Sequence, residues 1–196
     1  MGEARDMIQE VVKLGLAPML KRHGFKKIGL NFARRRGAVA HYLNVQLSSW
    51  NYGPQGGFYV NAGLMFDEIC RHYGKEPPQF PKYDDCNFMV RMESLDLSFP
   101  PQVSVDENTN PKELAQRLSS AVEQIYVVPS TRVSALSDLA ATGWVGAMPW
   151  GFPALFHFLT GNNEEARRLV QLEADTFADR GLTFESVAQG LGLRFS

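Results

Sequence analysis

Residues 42–64 read YLNVQLSSWNYGPQGGFYVNAGL, and the period of that stretch decides the fold. Leu43, Val45 and Leu47 alternate with Tyr42, Asn44, Gln46 and Ser48. Ten residues later Phe58, Val60, Ala62 and Leu64 alternate with Tyr59, Asn61 and Gly63. Period two over such lengths is the pattern of half-buried strands, and the turn-rich Asn51–Gly57 between them reads as a hairpin loop. One face of the hairpin is aliphatic and aromatic; the other carries carboxamides. Upstream, Ile28, Leu30 and Phe32 alternate with Lys27, Gly29, Asn31 and Ala33, and Arg34-Arg35-Arg36-Gly37 then reads as a turn. A three-stranded antiparallel meander is expected. Pairing Gln46 with Asn61 would set Asn44 opposite Gly63 and Ser48 opposite Tyr59.

Around this meander the apolar spacing becomes helical. Residues 4–23 form an amphipathic helix stopped by Gly24, with a kink or break expected at Gly15 and Pro18. A short helix is read at 66–74, an irregular segment at 75–84, a fourth strand at 88–99 and a short fifth at 103–105. Asn110-Pro111-Lys112-Glu113 then combines an N-cap, a proline at the first helical position and an acidic capping-box residue. The helix it opens buries Leu114, Leu118, Ala121, Val122 and Ile125. Beyond Pro129 helices are read at 130–141, 152–160, 163–180 and 184–191, ended by Gly143, Gly161, Gly181 and Gly192. Residues 154–166 resemble one tetratricopeptide turn, but stable arrays need about three, so a plain helical hairpin is the reading. The expected class is α+β: a mainly antiparallel sheet of four or five strands packed against helices, residues 1–143. An all-helical extension, 144–196, is expected to pack on it as one structural unit.

Composition narrows the function. The 196 residues carry 20 Lys and Arg against 21 Asp and Glu, a net charge of -1, with 44% hydrophobic residues. Such a chain has no overall electrostatic footprint for nucleic acid or an anionic membrane, and no apolar run approaches the ~18 residues of a membrane span. Two cysteines make no disulfide framework, so a reduced, cytoplasmic setting is expected.

The segments Leu20-Lys21-Arg22-His23-Gly24-Phe25-Lys26-Lys27, Asn44-Val45-Gln46-Leu47-Ser48 and Phe58-Tyr59-Val60-Asn61-Ala62-Gly63-Leu64, followed by Cys86 and by Arg91 on the next strand, are similar to the bacterial domain of unknown function 4304 family. The resemblance covers about residues 5–141. It implies a bacterial, soluble α+β domain and transfers no catalytic residue.

The leading candidate site is the polar face of the meander: Asn31, Asn44, Gln46, Ser48, Tyr59 and Asn61, with Lys27 and Asp96 on flanking strands. Asparagine is a poor strand former, and carboxamides both donate and accept, so their concentration on one face suits a ligand or protein groove. The alternatives are a merely solvated face, or one covered by the C-terminal helices. Trp50 and Tyr52 in the glycine-rich loop suit a contact surface if they project, and a sheet-end plug if Trp50 folds back. Cys70, His72, Cys86 and Asp84 or Asp85 include zinc-ligand types but match no standard spacing, so buried thiols and no metal are expected. Arg34-Arg35-Arg36 with Lys26 and Lys27 is a basic cluster without a nucleic-acid motif, read as a solvated turn. No nucleophile elbow, phosphate loop, dinucleotide fingerprint or metalloprotease motif is present, and His23, His41, His72 and His157 read as structural or surface residues. No cofactor is implied. The expected function is a non-enzymatic binding domain for a protein partner. A small-molecule binder or enzyme, with Gln46, Asn61 and Tyr59 as orienting groups, is the alternative.

Overall fold

The computed structural model describes residues 2–195. Its chain order is α1 (Glu3–Val11), a π-helical turn (Val12–Leu16), α2 (Ala17–Arg22), β1 (Lys26–Ile28), β2 (Asn31–Arg36), β3 (Val39–Leu47), β4 (Gly56–Phe66), α3 (Asp67–His72), β5 (Phe88–Arg91), β6 (Val103–Val105) and α4 (Pro111–Val122). A second π turn (Glu123–Val127), α5 (Val128–Ser130), α6 (Phe152–Leu159), α7 (Asn163–Thr176) and α8 (Phe184–Gly190) follow, with short 3-10 turns between. The class is α+β, and the sheet has six strands, all antiparallel, in the order β1-β2-β3-β4-β5, with β6 also on β4.

The expected kink at Gly15 and Pro18 is a π turn within one continuous helical path. Proline lacks the N–H and its ring crowds the carbonyl four residues back; a wider turn just before it relieves both. The same device recurs at Glu123–Val127 ahead of Pro129. Gly15 faces the crossing helix α4: a Cβ there would strike the Ala115 carbonyl oxygen and stand 2.8 Å from its carbon. Asn110 caps α4 as expected, its Oδ1 accepting from the Lys112 N–H at 3.0 Å.

Three strand readings need correction. The first run divides into β1 and β2 at Gly29-Leu30, where Gly29 has φ +62°, and the arginine triplet lies inside β2; the turn falls at Gly37-Ala38. Residues 88–99 pair only as far as Arg91, because a 3-10 turn at Met92–Ser94 diverts the chain from the sheet and leaves Leu97 96% exposed. The β3–β4 register is two residues from the expected one: Asn44 pairs with Asn61, Gln46 with Tyr59 and Tyr42 with Gly63. β4 starts at Gly56, behind a tight Tyr52–Gln55 bridge, and a shift of two leaves every side chain on its expected face. The helix read at 130–141 is a 3-10 segment, Leu136–Thr142.

The aliphatic face, with Phe32, Leu43, Val45, Phe58, Val60, Ala62 and Leu64, packs against α1 and α4 in one core. That core runs on into Phe152, Leu155, Val170 and Val187 of the C-terminal helices. Phe152 joins the two parts, its ring centroid 6.3 Å from that of Phe66 and 6.1 Å from that of Phe88.

Candidate functional site

On the other face, period two and the observed register align one residue from each of five strands: Ile28, Asn31, Asn44, Asn61 and Arg91. Gln46 and Tyr59 form the neighbouring pair. The carboxamides bond across the strands. Asn61 Nδ2 donates to Asn44 Oδ1 and to Gln46 Oε1, both at 3.1 Å, and Asn44 Nδ2 donates to Asn31 Oδ1 at 2.7 Å. Tyr42, in the next row, donates its hydroxyl to the same Asn31 oxygen at 2.6 Å. Burial, with Cys86, Tyr83 and Asp84 adding to it, pushes the Tyr42 phenol up to about 12, so it remains a donor at any ordinary pH. Asn61 is buried, Asn31, Asn44 and Tyr59 are half-buried, and Gln46 is exposed. The Arg91 guanidinium lies 4.0 Å from the Tyr59 ring centroid, a cation–π contact at the margin of the row.

The rest of this face is covered by the chain's own residues 67–87, and among the described residues no hydrogen bond of the carboxamide row involves the C-terminal helices. Arg35 holds Asp67 with contacts of 3.0–3.2 Å and donates to the Pro78 carbonyl at 2.9 Å. Beneath this cover Ala40, Met65 and Cys70 form a small apolar cluster, and Gly63 leaves room for Met89 and Cys86. Burial raises both thiols, Cys86 to about 12. Cys86 meets the Lys82 carbonyl at 3.6 Å and His72 the Leu191 carbonyl at 3.0 Å. Among the described residues no group of three or more His, Cys, Asp or Glu is placed to hold a metal ion.

Several expected site residues lie elsewhere. Ser48 falls beyond β3, buried, where its hydroxyl accepts from the Trp50 N–H at 3.2 Å and its own N–H donates to Gly57. It is a loop-closing residue. Lys27 is on the opposite face, 6.0 Å from the Phe32 centroid, and Asp96 is in a loop, held below the usual carboxylate range by Ser98. Trp50 and Tyr52 do project, 87% and 89% exposed. Their loop is nonetheless anchored: Asn51 Oδ1 accepts from the Gly57 N–H at 2.7 Å, and the Ala4 N–H donates to the Gly53 carbonyl at 2.9 Å.

The arginine triplet is the largest departure from expectation. Arg34 is buried, donating through Nε to His41 Nδ1 at 3.0 Å, through NH1 to the His23 carbonyl at 3.0 Å, and through NH2 to Ser130 Oγ at 2.8 Å and the Val127 carbonyl at 3.2 Å. Phe25 stacks on it, centroid at 4.6 Å. Burial lowers Arg34 to about 10 and, with the Arg34 charge, His41 to about 3. The neutral His41 ring therefore accepts at Nδ1 and donates from Nε2 to the Val133 carbonyl at 2.9 Å. This network pins β2 and β3 to the end of the α4 path. Ile28, Tyr42 and Arg91 were missing from the site expected from the sequence; Tyr42 follows from the alternation of β3 itself, Ile28 from the turn at Gly29 and Arg91 from the β4–β5 pairing.

A family model described as a domain of unknown function, DUF4304, matches residues 16–150. The chain belongs to that family. The match takes in α2, the whole sheet, α4 and the Arg34–His41 pin, starting and ending later than the resemblance over 5–141. No curated protein matches the chain, and no solved structure does. Among the described residues no helix is long and apolar enough to cross a membrane.

Proposed function

We propose that this DUF4304 chain is a binding domain for a protein partner, and that the partly exposed carboxamide row, with Gln46 and Tyr59, is its contact surface together with the exposed Trp50 and Tyr52 of the β3–β4 loop. The observation that carries this reading is the row itself. Asn31 Nδ2, Gln46 Nε2 and Asn61 Oδ1 have no further partner among the described residues, yet the bonds between them hold each amide in a set orientation. Oriented but unspent donors and acceptors are the ingredients of a recognition surface, and exposed aromatics on the adjoining loop add contact area. The surface contains no carboxylate, imidazole or thiol, so hydrogen bonding and packing are what it offers, and this favours the binding reading over an enzymatic one. The test is capture from a lysate of the source organism with wild type and with the Gln46→Ala/Trp50→Ala/Tyr52→Ala variant, melting temperatures being matched first. A partner retained by the wild type and lost by the variant is expected; equal retention overturns the proposal.

A further inference from the structure

A second site lies away from the carboxamide row, between α4 and the segment that leads into β6. It is a groove of about 430 Å³, within the range of small-molecule sites. Leu114, Leu118, Ala121 and Ile125 form one wall, a stripe along α4 and into the π turn that follows it; Phe99 and Val103 form the other. On most helices such a stripe is consumed by the core. Here Ala115, Leu118 and Val122 are buried in the core, while Leu114, Ala121 and Ile125 pack against its edge and stay half-exposed along the groove.

Charge narrows the occupant. Arg117 lines the groove, and no acidic side chain does. Its guanidinium is exposed and has no hydrogen bond or ion pair among the described residues, in contrast to Arg34, Arg35 and Arg168, each held by named partners. An apolar trough with one unpartnered cation complements a molecule with an apolar body and one anionic head. From Arg117 the stripe runs on through Leu118 and Ala121 to Ile125 for roughly 12 Å, which matches an extended chain better than a compact ring system. We infer that this groove binds an amphipathic monocarboxylate, with the alkyl chain along the α4 stripe and the carboxylate on Arg117. A guanidinium can take a carboxylate through two parallel N–H donors, so head recognition rests on one side chain.

The test is calorimetric titration with decanoate, below its micellar concentration, against wild type, Arg117→Gln and Ala121→Trp, with decylammonium as the charge-reversed control. Ala121 is half-buried at the groove, so a tryptophan there occupies the trough; melting curves verify that both variants fold. Saturable one-site binding of decanoate is expected, weakened about tenfold or more in Arg117→Gln and abolished in Ala121→Trp, with decylammonium much weaker. The inference is overturned if decanoate does not saturate, if decylammonium binds as tightly, or if Arg117→Gln binds decanoate like wild type. It is equally overturned if sedimentation shows a dimer that Ala121→Trp dissociates and decanoate does not, since the groove is then an interface between copies. Neither result bears on the carboxamide row, which lies on the opposite face of the sheet.

Discussion

Arg34 shows how far a residue's role can lie from its local sequence. Three consecutive arginines before a glycine look like a solvated turn, yet the Arg34 donors end on Val127 and Ser130, more than ninety residues away. Nothing local signals that. The cost of burying this cation is offset by directed hydrogen bonds, one of them to a histidine that must stay neutral. His41 has its folded value lowered from 6.5 to about 3. Between those values the unfolded chain binds the proton and the folded chain does not, so stability from this group is present above about pH 6.5 and is lost as pH falls toward 3. The expected slope is roughly 1.4 kcal/mol per pH unit within that window. Urea midpoints of wild type and His41→Gln, compared from pH 7 to pH 4, should show a shallower fall in the variant; parallel curves would sink the assignment.

At the scale of elements, the first π turn crosses α4 at Gly15, where the two backbones come close. Gly15→Ala gains helix propensity worth ~0.5–1 kcal/mol, but its methyl meets the backbone of Ala115, which cannot rotate aside. Overpacking of this kind costs about 1–3 kcal/mol, so a net destabilisation is expected. Gly63→Ala is the instructive contrast. Its methyl first meets the Met89 sulfur, the mobile end of a flexible side chain, so its urea midpoint should fall less than that of Gly15→Ala. The reverse order would show that the helix crossing yields more readily than its geometry implies. The elements themselves were largely legible, because Leu43 to Leu64 keeps strict alternation and Asn110, Asn162, Gly143, Gly161, Gly181 and Gly192 stand at helix boundaries. Leu95, Leu97 and Phe99 misled for the same reason: alternation without a partner strand is not a strand.

For the whole molecule, the carboxamide face was readable from period two alone, since a shift of two in register leaves side chains on their own face. Its partial cover was not readable. Residues 75–86 have no periodicity, and their place over Ala40, Met65 and Cys70 depends on the Arg35–Asp67 ion pair and on α3. The docking of the C-terminal helices rests on Phe152 between Phe66 and Phe88. Phe152→Ala should cost about 3 kcal/mol or more. If the sheet and the C-terminal helices unfold together, tryptophan fluorescence and far-UV circular dichroism will report one lowered midpoint in the variant. Two separated midpoints would show instead that the helices unfold on their own.

The asparagine row has a sense as well as a position. The hydrogens run one way along it, from Asn61 to Asn44 and from Asn44 to Asn31, so Asn44 cannot turn over without breaking its bonds to both neighbours. One end of the row, at half-buried Asn31, keeps spare N–H groups; the other, at buried Asn61 beside Arg91, keeps a spare carbonyl oxygen. A group laid along it meets donors at one end and an acceptor at the other. On the proposed binding reading, three uncharged side chains would thus tell a partner's head from its tail, a polarity that a net charge of -1 over the whole chain would never suggest.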